Sequence, residues 1–136
     1  MDFLKSIAIA ASGLRAQAGR MRIIAENLAI ADSTATQPGA DPYRRRIVTF
    51  RGEVDKALEA QVVRLGRVRP DPSDFRMKYE PGHPSADASG NVKYPNVNSL
   101  IEMTDMREAQ RSYEANLNVV GASRRMIQRT LEILKS

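Results

Sequence analysis

From Leu4 onward the apolar residues fall at Leu4, Ile7, Ala11, Leu14, Ala18, Met21, Ala25 and Leu28, an unbroken alternation of three and four. A period of 3.5 gathers them into one narrow stripe along a helix of about 30 residues, roughly 45 Å long at 1.5 Å per residue. Such a stripe is a coiled-coil seam. Gly13 and Gly19 flank it, so a partner helix can approach closely, at about 1 kcal/mol of helix propensity per glycine. The last segment repeats the device at Met103, Met106, Gln110, Tyr113, Leu117, Val120, Arg124, Ile127, Leu131 and Leu134, with Gln110 and Arg124 as polar interruptions. Ser99 and Glu102 have the spacing of a capping box, which predicts the start of this second helix.

Between the two seams the period drops to two. All seven prolines lie from Pro38 to Pro95, and five of the seven aromatics (Tyr43, Phe50, Phe75, Tyr79 and Tyr94) fall there too. Tyr43 to Phe50 alternates as a strand ending near Gly52, and Gln61 to Arg69 is a second candidate. Phe75, Met77 and Tyr79 alternate against Arg76, Lys78 and Glu80 until Pro81 and Gly82. Ala88 to Asn91 then reads as a turn before Val92 to Tyr94. The fold expected is mainly α with a small β insertion: long N- and C-terminal helices forming a coiled-coil-like bundle, and one small sheet of three or four short strands in the middle. Three segments follow, an N-terminal helix over 1–34, a β-rich middle over 35–96 and a C-terminal helix over 97–136. Two readings follow: the helices pack on one another as an antiparallel hairpin under the middle, or, because seams only two residues wide per heptad bury little as a pair, the stripes partly serve neighbouring subunits.

Composition narrows the function classes. Leu, Ile, Val and Phe number 30 of 136 residues, and there is no Cys, no Trp and one His. Disulfide, thiolate and multi-histidine metal chemistry are thereby excluded. His83 stands between Gly82 and Pro84 with no nucleophile elbow or paired-carboxylate site nearby, and it reads as a turn histidine, as Glu80 and Asp87 read as turn residues. No enzyme, cofactor or metal is expected.

The net charge of +5 falls in the middle. Residues 43–78 hold ten Lys and Arg against five Asp and Glu, while 1–42 and 79–136 are each balanced. Arg44, Arg45 and Arg46 are the densest basic run and are expected to make outer-surface contacts. Without a recognition helix or an aromatic pair they fall short of a nucleic-acid patch. No stretch approaches a membrane span, and the apolar run Ile7 to Ala11 is too short for a cleaved signal peptide.

Longer motifs then point to a family. Glu80-Pro-Gly-His-Pro-Ser-Ala-Asp87, Gly90, Pro95-Asn-Val-Asn98, Glu102-Met103, Asp105-Met106 and Arg111-Ser-Tyr-Glu-Ala-Asn116 occur in order. With Asn27-Leu-Ala29, Ala31-Asp-Ser33 and Pro42-Tyr-Arg-Arg45, the chain resembles the FlgC family of bacterial flagellar basal-body (proximal) rod proteins. Ile30 and Asn91 depart from that family's pattern, where Asn and an aromatic are usual.

The resemblance implies a structural subunit of the rod, or drive shaft, which crosses the periplasm. Such subunits polymerise helically through their terminal helices around an export channel and transmit torque. The implied partners are copies of itself, other rod proteins and the flagellar type III export apparatus, through which the chain travels without a cleaved signal. On this reading Leu4, Ile7, Leu14, Met21, Leu28, Met106, Tyr113, Leu117, Val120, Ile127 and Leu131 are subunit-packing residues, and Asn27 and Asn116 fix register as a buried Asn does in a coiled coil. A soluble helical adaptor or export chaperone is the alternative.

Overall fold

Asp2 starts the first helix. Its Oδ1 accepts from the backbone N–H groups of Leu4 (2.9 Å) and Lys5 (3.3 Å), as an N-cap does for donors the first turn leaves free. In this computed structural model, which describes residues 2–136, helix α1 runs Phe3–Ala29 and helix α2 Ser99–Lys135. Between them lie β1 (Arg46–Ile47), β2 (Phe50–Asp55), β3 (Ala60–Leu65), β4 (Arg69–Pro70), β5 (Arg76–Tyr79) and β6 (Asn91–Tyr94). These strands do not join into the one small sheet expected. They form three separate antiparallel ladders, β1 with β4, β2 with β3 and β5 with β6.

The chain divides into two units. The first takes residues 1–21, 49–67 and 107–136, and the second takes 22–48 and 68–106. In the first, hairpin β2–β3 lies on α1. The Ser12 hydroxyl donates to the Ile9 carbonyl and accepts from the Val63 N–H (3.2 Å), so one buried side chain ties helix to strand. Ala60 and Val62 are buried, and Leu65 packs against Gly19. α2 comes closest where Asn116 lies against Gly13. A Cβ there would stand 2.7 Å from the Asn116 Oδ1, so the approach depends on glycine.

In the second unit the β5–β6 hairpin turns at Gly90, whose φ of +82° is a left-handed conformation that side chains disfavour. The Asp87 carboxylate accepts from the N–H groups of Ser89 and Asn91 and shapes that turn. Val92, Tyr94, Pro95 and Val97 are buried, as are Ile23 and Ile24 of α1.

The coiled-coil-like bundle expected of the N- and C-terminal helices is not formed. Two long helices are present, but α1 meets hairpin β2–β3 at Ser12 and Gly19. The buried face of α1 runs through Ala10, Gly13, Ala16, Ile23, Ile24 and Asn27, whereas the eight seam positions are all half-buried or exposed, Leu4 by 71%. The physical reason is side-chain size. The small residues at 10, 13 and 16 admit a strand and an Asn side chain to close range, which the bulkier seam does not. The predicted capping box is also replaced. Asn98 caps α2, its Oδ1 accepting from the Leu100 N–H at 3.0 Å, and the Glu102 carboxylate turns away to an arginine.

Candidate assembly surfaces

The predicted packing residues of α2 divide by depth. Met106, Tyr113, Val120 and Ile127 are half-buried, while Leu117 and Leu131 are about half exposed (50% and 53%). Of those on α1, Leu4 is exposed, and Ile7, Leu14, Met21 and Leu28 are half-buried. From Arg124 to the end of α2 every side chain but Ile127 is exposed, among them Met126, Leu131, Ile133 and Leu134. The buried apolar residues of the first unit are Ala10, Ala16, Ala60, Val62 and Ala109. Its fully buried apolar residues are thus nearly all alanine, and no Leu, Ile or Met among the described residues of this unit is fully buried.

The two asparagines are engaged within the chain. Asn27 is 1% exposed and pairs edge-on with the backbone of Arg46, donating from Nδ2 to the Arg46 carbonyl (2.8 Å) and accepting the Arg46 N–H (3.1 Å). A side-chain amide here does what a neighbouring strand would do. Asn27→Ala would leave both backbone groups without partners, and at 1–3 kcal/mol per buried group chemical denaturation should show a loss of about 2 kcal/mol. A change under 0.5 kcal/mol would mean that water replaces the amide. Asn116 donates to the Ser112 carbonyl (2.8 Å) one turn back in its own helix.

Each guanidinium of the arginine triplet has partners inside the second unit, while the Arg46 side chain stays 42% exposed. Arg44 donates to the carbonyls of Asp71 (2.9 Å) and Ser73 (2.7 Å) and lies 4.2 Å over the Phe75 ring. Arg46 reaches Glu26 and the Tyr43 hydroxyl. Arg45 is a hub. Its Nε donates to Glu102 and its Nη1 to Asp71 (3.0 Å), with Asp105 at 3.7 Å. Glu102 is 1% exposed and its second oxygen has no partner, so Arg45 is what compensates this carboxylate. Sequence reasoning missed the hub. Its only sequence signal is Glu102 itself, a carboxylate in the apolar first turn of α2.

The Ser73 amide, assisted by the Ser73 hydroxyl and Arg45, holds the Asp71 carboxyl below its ordinary value against the opposing effect of burial. A depressed carboxylate contributes stability that is fully present above its unfolded value of about 3.9 and is lost as pH falls through the lower folded value. Wild type should therefore be more stable than Asp71→Asn at pH 7, with the gap closing as pH is lowered below about 4. Denaturant midpoints at successive pH values check this, and a gap independent of pH would exclude a charge effect.

His83 accepts the Ser85 N–H on Nδ1 (3.0 Å), and Glu80 accepts the Tyr94 hydroxyl (3.0 Å). Both shape turns and ladders. No helix of the described residues is long and apolar enough to cross a membrane.

Comparison with known proteins decides the family. The chain is 51% identical to the flagellar basal-body rod protein FlgC of Agrobacterium fabrum, over 94% of this chain and 92% of that protein. The chain belongs to the FlgC family. It is also similar to the FlgC proteins of Salmonella typhimurium (38% identical, 98% of each chain) and Bacillus subtilis (36%, 99% of this chain and all of that one). Residues 88–133 match the family described as flagellar basal body rod FlgEFG protein C-terminal. This FlgC-family chain is accordingly a structural subunit of the flagellar rod, located in the basal body and assembled with other rod components.

Proposed function

We propose that the chain polymerises helically through α1 and α2, with residues 1–34 and 97–136 forming an inner layer around the export channel and 35–96 an outer one, so that torque is shared among many copies. Leu4, Ile7, Leu14, Met21, Leu28, Met106, Tyr113, Leu117, Val120, Ile127 and Leu131 pack against neighbouring subunits. The chain reaches the rod, in the periplasm, through the type III export apparatus.

One observation carries this reading. The first unit fully buries only alanines and a single valine among its apolar residues, and leaves Leu4, Ile9, Leu117, Met126, Leu131, Ile133 and Leu134 exposed. Apolar burial is worth about 25 cal/mol per Å², and that surface becomes useful only when a second chain covers it. Contacts related by a helical operation do not close, so the same two surfaces serve every added copy. The test is incorporation. A charged residue placed at a seam position that the free chain leaves exposed should exclude the subunit from the rod; normal incorporation would reject the seam.

A further inference from the structure

The basic surplus is not where the linear sequence puts it. The first unit holds 13 Lys and Arg against seven Asp and Glu, and the second holds eight against nine. The two units thus differ in net charge, +6 against −1.

Part of that charge is concentrated on one surface. The β2–β3 register sets Arg51 directly opposite Arg64, a like-charge pair that is unfavourable unless something neutralises it. A single carboxylate, Glu53, serves both, at 3.1 Å from Arg64 and 3.7 Å from Arg51. Arg64 and Arg15 of α1 line a cleft of about 250 Å³ together with Ala16 and Leu65. Arg15 and Arg67 are exposed and form no ion pair among the described residues.

We propose that this cleft, with Arg15, Arg51, Arg64 and Arg67, is a docking surface for a carboxylate-rich segment of another protein chain. Guanidinium forks bind carboxylates bidentately, and Ala16 and Leu65 give the aliphatic stem of a Glu side chain an apolar wall. A nucleic acid would want open aromatic faces as well. The nearby exposed aromatic, Phe50, already has Arg20 over its ring at 5.9 Å. A second copy is a poor occupant: it carries the same +6 unit, and in its other unit Glu26, Asp71 and Glu102 are already paired with arginines.

The proposal is tested on the purified full-length chain by fluorescence anisotropy with a labelled Glu-Leu copolymer peptide at about 0.15 M salt, where the Debye length is about 8 Å. The triple variant Arg15→Gln/Arg64→Gln/Arg67→Gln should bind at least about tenfold more weakly, as expected for losing several charge-assisted bonds. A charge-matched control on the bare end of α2, Arg124→Gln/Arg125→Gln/Arg129→Gln, should lose less than about threefold, as screened distant charges do. Circular dichroism confirms folding, and if the triple variant misfolds, Arg64→Lys replaces it: that variant keeps the charge, loses the fork and should still weaken binding. Equal losses in the two triple variants, or no binding at all, would overturn the proposal. So would tighter binding to phosphatidylglycerol vesicles or single-stranded DNA than to the peptide, or self-association that depends on the same arginines. None of these readouts involves rod incorporation, so failure here leaves the polymerisation reading untouched.

Discussion

Leu117→Asp should leave the free chain folded while abolishing its incorporation into the rod. In the single chain Leu117 is half exposed, so the variant loses little burial; the cost is mainly the helix propensity of Asp, about 0.5 kcal/mol relative to Leu. In the proposed assembly the same position faces a neighbour. There the variant forfeits about half of the roughly 1.5–3 kcal/mol that full burial of a Leu contributes and forces a carboxylate either to lose its water, at a further cost of several kcal/mol, or to hold the seam open. Because each 1.4 kcal/mol is a factor of ten, association should weaken by about three orders of magnitude or more. The measurements are a thermal melt of the purified variant, an immunoblot of isolated basal bodies and a motility assay. Expected are a near-normal melt, no subunit in the basal bodies and no motility. Normal motility would remove Leu117 from the packing surface, and an unfolded variant would show that its half-buried portion matters more to the free chain than its exposure implies.

Arg45→Ala is expected to cost the free chain the most. Glu102 is almost fully buried, and Arg45 is its ion-pair partner. Removing one member of a buried pair leaves an uncompensated charge, typically 3–5 kcal/mol. About a fifth of the Arg45 side chain is exposed, which lets water screen the pair and argues for the low end, about 3 kcal/mol. The Asp71 contact is lost in the same step. The double variant Arg45→Met/Glu102→Leu should recover most of the loss, because an apolar pair of similar volume needs no compensation. Urea denaturation of the single and double variants separates the two cases. If Arg45→Ala cost less than 1 kcal/mol, Glu102 would not depend on Arg45.

The parts of the fold that local chemistry determines could be read from the residues. The alternation of Phe75, Met77 and Tyr79, stopped by Pro81, and the turn at Gly90 reappear as β5, β6 and a left-handed glycine. Both long helices are present as well. What could not be read is which surface covers which. A 3.5-residue period marks the positions where large apolar side chains recur, and it passes over Ala10, Gly13 and Ala16, whose small size is what admits a strand and Asn116. Exposed seam residues look, in one dimension, just like core.

The partners of the arginines escape a reading of the sequence for a different reason. Arg44, Arg45 and Arg46 are a run of charge along the sequence, but the partners of Arg45 are 26 and 57 residues away. No local pattern encodes that distance. Asn27 was picked out as a polar residue on a helix, yet its partner, the backbone of Arg46, has no side-chain signature. The outward-facing basic residues Arg15, Arg51 and Arg64 come together only after α1 and the β2–β3 hairpin are placed.

The +6 unit also bears on how free subunits behave before they assemble. A helix end with bare Met126, Leu131, Ile133 and Leu134 is adhesive, and a solution of such chains would be expected to clump. Mutual repulsion between units of the same sign opposes this and weakens as salt rises. Stickiness and repulsion on one molecule amount to a timed adhesive: free subunits would stay dispersed until an opposite charge removes the barrier.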